Sequence, residues 1–255
     1  MPFSPQSPPS NRRAYTLLAL LLSGVAGAVN ATGFVALGMH TSHMSGNMAT
    51  LGESLATGNW HGAELAGQLL LSFLLGAVAA TALLEASRHR ARGRHAAPLL
   101  LEVCLLGGIG VWLSSVPGTR EPTVMWGLAF AMGLQNALVT RVSGAVVRTT
   151  HMTGVITDIG IQLVQMVTWV REGARGQGAR GLLRQVRELP TAIQFERTRL
   201  HLGLGVAFLF GCTSGPMLFI QYGAATLGLP CAVLLLLVVL DWSPAAARPL
   251  PAPRA

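Results

Sequence analysis

Long apolar runs separated by short polar stretches dominate the chain. Six runs, 15–38, 63–86, 97–115, 123–147, 201–222 and 224–241, reach or approach the roughly 20 residues a helix needs to cross about 30 Å of hydrocarbon. The pattern predicts an all-α protein, a polytopic membrane helix bundle of about six spans. Two further helix-compatible segments are more polar: HTSHMSGNMATLGESLATGNW, between the first two spans, and RTTHMTGVITDIGIQLVQMVTWV, after the fourth. Read as re-entrant helices, they leave the N-terminus, the cluster Arg88, Arg90, Arg92 and Arg94, the stretch 171–199 and the C-terminus on one side, the cytoplasm. Read as crossings, they give eight spans and place that cluster outside, against the orientation bias of arginine. The charge pattern favours six, although Met152 to Val170 is apolar enough to cross. Trp60, Trp112, Trp126, Trp169 and Trp242 fall at or near segment ends, where amphipathic rings prefer the interface.

Composition sharpens this picture. Of 255 residues, 51% are hydrophobic and 11% charged, against about a quarter charged in an ordinary soluble domain. The net charge of +8 comes from arginine alone, since the chain has no lysine. Those arginines sit in short stretches between apolar runs, so they point to topology and anionic headgroups as partners, with no nucleic acid expected. Cys104, Cys212 and Cys231 lie inside apolar runs without a CxxC pair, which argues against a disulfide framework or zinc site. Disordered ends are expected at 1–13 and 243–255, enclosing membrane repeats at 14–115 and 121–242. A cleavable signal at the N-terminus is the weaker reading, because apolar sequence continues to Met39.

The two repeats are visible as three blocks in the same order. Gly27-Ala-Val-Asn30-Ala31 matches Gly133-Leu-Gln135-Asn136-Ala137; Thr41-Ser-His43-Met44-Ser45-Gly46 matches Thr149-Thr-His151-Met152-Thr153-Gly154; Phe73-Leu-Leu-Gly76 matches Phe208-Leu-Phe-Gly211. The last pair comes into register when the arginine-rich stretch 171–199 is treated as an insertion, a surface helix or loop at the headgroups or a docking site for a partner. Three crossings per half force the second copy to enter from the opposite side, which gives inverted repeats and a central site near the midplane.

The polar residues of these blocks are the candidate site. Asn30, Gln135 and Asn136 carry amides inside spans, where lipid supplies no hydrogen-bond partner. His43, Ser45 and Asn47 in the first copy, with His151 and Thr153 in the second, either satisfy a helix entry or line a pathway. Asp158 is costly in hydrocarbon unless paired, and Arg141 or Arg148 could pair with it; Glu102, near a span start, is read as snorkelling to the headgroups. His40, His43, Met44 and Met48 would suit copper, but the second copy has Arg148 and Ile156 at the outer positions, so no metal is expected. With no nucleotide loop, HExxH or GxSxG, no enzyme and no cofactor is expected.

On the Asn30-Ala31 and His43-Met44-Ser45-Gly46-Asn47 blocks and their second-half partners, the chain resembles the YoaK-like family of bacterial multi-pass membrane proteins, a family of undescribed biochemical role. Its usual Asp-Ala and Thr-Gly-Asn stand here as Asn30-Ala31 and Ser45-Gly46-Asn47. The resemblance implies a bacterial inner membrane and about six spans, and no substrate. The expected function is a small-solute or ion transporter or channel. A membrane scaffold or regulatory subunit working through the arginine-rich loop is the alternative, and self-association into a homo-oligomer is left open.

Overall fold

The computed structural model describes residues 9–90, 92–116, 122–143 and 150–242, and these are helical without a strand. The helices are α1 (Pro9–Leu37), α2 (Met44–Ala56), α3 (Trp60–Ala86), α4 (Ala96–Ser115), α5 (Pro122–Ser143), α6 (Met152–Gly173), α7 (Gly178–Glu188), α8 (Glu196–Tyr222) and α9 (Gly228–Trp242), with 3-10 turns at Ile193–Phe195 and Gly223–Leu227. Residues 1–8 and 243–255, within the ends expected to be disordered, lie outside the described residues, as do Arg148 and Thr149. Pro9 opens α1, a position where its missing N–H costs nothing. The helices fall into two units, residues 1–150 with 208–255, and residues 151–207.

In the larger unit, local sequence sets the helix ends. Gly38 at φ 84° closes α1, its N–H returning to the Phe34 carbonyl at 2.7 Å. Gly58 at φ 72° turns α2 into α3, and Asn59 caps α3 by accepting from the Gly62 N–H at 3.1 Å. Gly223 at φ 59° separates α8 from α9.

Glycines also set the packing. At Gly133 of α5 an added Cβ would strike the Phe73 carbonyl of α3, and at Gly76 of α3 it would strike the Phe130 carbonyl of α5. The same closeness joins α1 to α8: Gly27 lies on the Phe208 carbonyl and Gly211 on the Gly24 carbonyl. Small residues let backbones approach this far, so dispersion replaces the hydrophobic force that lipid cannot supply. Both pairs run parallel. From Gly211 to Gly215 of α8, the partner on α1 advances from Gly24 and Ala28 to Ala28 and Thr32. From Gly76 to Glu85 of α3, it advances from Phe130 and Leu134 of α5 to Arg141, whose guanidinium donates to the Glu85 carboxylate. By contrast, α4 and α9 are antiparallel, held at one end by His95 with Asp241 and further along by Gly110 against Leu227.

α1 and α5 are the inner helices, with 56% and 61% of their apolar windows buried against 22% for α3. Leu71, Leu74, Leu75 and Val78 stand exposed on α3, as lipid contact requires.

In the smaller unit, the Trp169 ring of α6 meets Phe195 edge-on with centroids 5.7 Å apart. Gln185 of α7 lies where a Gly173 side chain would be. α7 exposes Leu182, Leu183 and Val186 together with arginines, so the basic insertion contains a short amphipathic helix.

Among the described residues, six stretches are long and apolar enough to cross a membrane: Thr16–Ala36, α3, α4, Pro122–Val142, α6 and the 47 residues Glu196–Trp242. The number matches the expectation and the membership differs. α6 qualifies by length and composition, whereas the expected spans 201–222 and 224–241 fall in α8 and α9, which the Gly223–Leu227 turn joins into one apolar stretch of 47 residues, enough for two passes. At 13 residues, about 20 Å, α2 is too short to cross.

Candidate functional site

The polar residues of the first repeat gather at the turn between α1 and α2. The Asn30 Oδ1 accepts from the Ser42 backbone N–H at 3.0 Å and from the Ser42 hydroxyl at 2.9 Å, while its amide nitrogen lies 3.2 Å from His40 Nδ1. Here a span residue uses its amide to fix the turn. The His40 ring stacks on Phe34 with centroids 4.5 Å apart, and partial burial there, reinforced by nearby His43, lowers its pKa from the ordinary histidine value. Donation from Asn30 requires the same neutral imidazole with Nδ1 as acceptor.

At the second copy, Asn136 Oδ1 accepts from the Thr150 hydroxyl at 3.0 Å, and its amide donates to the Met132 carbonyl at 2.9 Å. Gln135 beside it is fully buried and donates to the Leu22 carbonyl of α1 at 2.6 Å, tying α5 to α1.

His43 and His151 occupy the N-cap positions of α2 and α6 without a side-chain capping bond, each ring lying over the glycine three residues on. An added Cβ on Gly46 would come within 2.6 Å of His43 Nδ1, and one on Gly154 would strike His151 Nδ1. Ser45 and Thr153 are exposed inside the first turn and are not caps. Asn47 is buried, and its amide nitrogen has no hydrogen-bond partner among the described residues.

Asp158 lies in the smaller unit, on α6. Its carboxylate is 3.7 Å from His201 Nε2 of α8, and Gln162 reaches His201 Nδ1 at 3.2 Å. Asp158, Ile161, Gln162, Gln165, Gln194 and Arg197 line a cavity of about 360 Å³, within the size range of small-molecule sites. Of the two partners expected for Asp158, Arg148 lies outside the described residues and Arg141 is paired with Glu85 in the larger unit, while within the smaller unit Asp158 faces His201. The motif that singled out Asp158 gave no signal for Gln194, Arg197 and His201, which lie in the insertion and the helix after it.

Glu102 also departs from expectation. It has no exposed surface, and neither carboxylate oxygen has a hydrogen-bond partner among the described residues, so it does not reach the headgroups. Among the described residues no group of three or more His, Cys, Asp or Glu is placed to hold a metal ion.

Apolar helices of span length, close glycine crossings and polar groups held within helix entries define a multi-pass membrane protein. The chain belongs to the family described as protein of unknown function DUF1275, whose model matches residues 18–240. No curated protein and no solved structure matches the chain.

Proposed function

We propose that the protein is a transporter or channel for a small polar solute or ion, built from two inverted repeats in a bacterial inner membrane. The observation that carries this reading is the reciprocity of the glycine crossings. Gly27 meets Phe208, and the matching Gly133 meets Phe73, so equivalent residues exchange partners between the halves. Two-fold related copies generate such exchanged contacts. Direction agrees with it. When α1, α3, α4 and α5 alternate through the bilayer, α8 can run parallel to α1 only if the chain between α5 and α8 returns to the face it left. α6 then dips or lies at the surface instead of crossing, despite its length. Both termini, Arg88 to Arg94 and α7 fall on the cytoplasmic side, in keeping with the arginine bias.

Asn30, His43, Ser45, Asn47, Gln135, Asn136, His151, Thr153 and Asp158 are the candidate residues of this reading: in the larger unit the amides shape the turns, and in the smaller unit Asp158 contacts solute in its own cavity. A lining of one carboxylate, one guanidinium and three glutamines fits a zwitterionic, hydrogen-bonding solute. In this reading the chain is similar to YoaK-like proteins and moves its solute without converting it chemically.

Liposomes holding the full chain should take up at least one of a panel of labelled amino acids or monovalent cations, and Asp158→Asn or His151→Ala should reduce uptake at least tenfold with the protein still folded. Equal flux in both variants would withdraw the site. Single cysteines at Ser45 and Thr153, in a background without native cysteines, should label from opposite faces; labelling from one face would withdraw the inversion.

The exposed Leu182, Leu183 and Val186 beside Arg180, Arg184 and Arg187 favour a second role for α7, contact with anionic headgroups. Its binding to vesicles should weaken when phosphatidylglycerol is replaced by phosphatidylcholine.

A further inference from the structure

We propose that Glu102 is a proton-binding group within the membrane, its carboxyl taking up and releasing a proton in the interface between α4 and α9. Position comes first. His95 and Asp241 fasten the two helices at one end, with the Asp241 carboxylate accepting from the His95 backbone N–H and facing its ring Nδ1, both at 2.8 Å. Further along α4, a Cβ added to Gly110 would lie 3.5 Å from both the Ala224 carbonyl and Leu227. Glu102 lies seven residues past the first fastening and eight before the second. Along α4 it is therefore about 10 Å from either contact. That distance is beyond the reach of its own side chain, and the residue has no exposed surface.

Chemistry comes second. An ionised carboxylate in hydrocarbon needs a counter-charge, donors or a proton. Neither Glu102 oxygen has a hydrogen-bond donor among the described residues. The packed elements supply no cation. α5 has no charged residue between Thr123 and Thr140, the 3-10 turn Gly223–Leu227 has none, and α9 has none before Asp241, which His95 holds. On α3, Glu85 faces Arg141 and Arg88 at the helix end, while His61 and Glu64 lie in its first turns. Cys231 of α9 interacts with both Glu102 and Cys104, and its thiol donates to the Val103 carbonyl at 3.7 Å. A metal cation requires several oxygen ligands. The proton is the one cation a single carboxylate holds unaided.

This site stands on the α4–α9 geometry, and its use as the energy input of transport rests on the reading above. The test is infrared spectroscopy of the full chain in phosphatidylethanolamine–phosphatidylglycerol vesicles. The expected result is a protonated-carboxyl band at neutral pH that shifts in heavy water, is lost at alkaline pH and is missing from Glu102→Gln. No such band, a band indifferent to both heavy water and alkali, or a band that survives in Glu102→Gln would overturn the proposal. Should that variant not fold, dicyclohexylcarbodiimide on the unaltered chain decides the question: an adduct at Glu102 that falls at least tenfold from acid to alkaline pH supports the site, and no adduct there overturns it. Neither readout needs a transported solute. A titrating band without flux would remove the transport reading alone, and flux without a titrating band would remove the proton site alone.

Discussion

The turns entering α2 and α6 share residues and lead into unlike helices. In each, an asparagine accepts from the hydroxyl just before the histidine, Ser42 for Asn30 and Thr150 for Asn136, and the histidine lies over a glycine. Beyond that glycine the copies part. α2 stops after 13 residues, with Asn47 buried where α6 buries Val155. α6 continues for 22, and places Asp158 and Gln162 where α2 has Thr50 and Ser54. The turn is thus a shared mechanical element, whereas the ligand-like chemistry is carried by one copy. A carboxylate and an amide near His201 offer a charge and a directional donor that two hydroxyl groups do not.

What the copies share can be broken most severely at the crossings. Gly27→Ala and Gly133→Ala would each drive a methyl group into a backbone carbonyl of the neighbouring helix, which cannot rotate away. Overpacking costs about 1–3 kcal/mol where side chains can yield, and more where the obstacle is backbone. Both variants are expected to lose at least about 3 kcal/mol, read as a matching fall in thermal unfolding midpoint in detergent. A fall in one and not the other would end the equivalence of the two crossings.

Next in size, the clamps should differ. Asn30→Ala removes two bonds from Ser42 and one to His40 at a buried site, an expected loss of about 2–3 kcal/mol. For Asn136→Ala about 1–2 kcal/mol is expected, since part of its amide bonding is to its own helix at Met132. Equal losses in unfolding experiments would show that the first turn is no more tightly held than the second.

Much of this was legible in the sequence because hydropathy and glycine spacing are local. The apolar runs mark α1, α3, α4 and α5, and the Gly27, Gly76, Gly133 and Gly211 blocks turn out to be the contact points of the helices. What repetition does not encode is partner choice. Asp158 finds His201 through the fold, and no block flags His201. Glu102 reads as an interfacial acid from its place near a span start, but burial depends on which face α9 covers, and a run of Leu, Val and Gly in α4 does not specify that face.

A smaller effect separates the turns by pH. Burial and nearby His43 lower the His40 pKa in the folded chain, so the unfolded chain binds more protons as the pH drops below the ordinary value of about 6.5. The stability contributed by neutral His40 is therefore present above about pH 6.5 and lost as the pH falls through the lowered folded value. The unfolding midpoint should decline over that window, and His40→Gln should flatten the decline. An unchanged slope in His40→Gln would assign the acid sensitivity to another group.

The least effect is expected at the glycines beneath the histidines. Gly46→Ala and Gly154→Ala add the same methyl group as Gly27→Ala, but the obstacle is an imidazole at the end of an exposed side chain that makes no capping bond. The ring can swing outward, and alanine gains up to about 1 kcal/mol of helix propensity over glycine, so the net change should stay within about 0.5 kcal/mol. On the proposed transport reading flux is then the more sensitive readout, because the ring moves while the helix stays folded. A destabilisation comparable to that of Gly133→Ala would mean that the imidazole is locked in place, and the histidine would have to be treated as a structural wedge instead of a pathway residue.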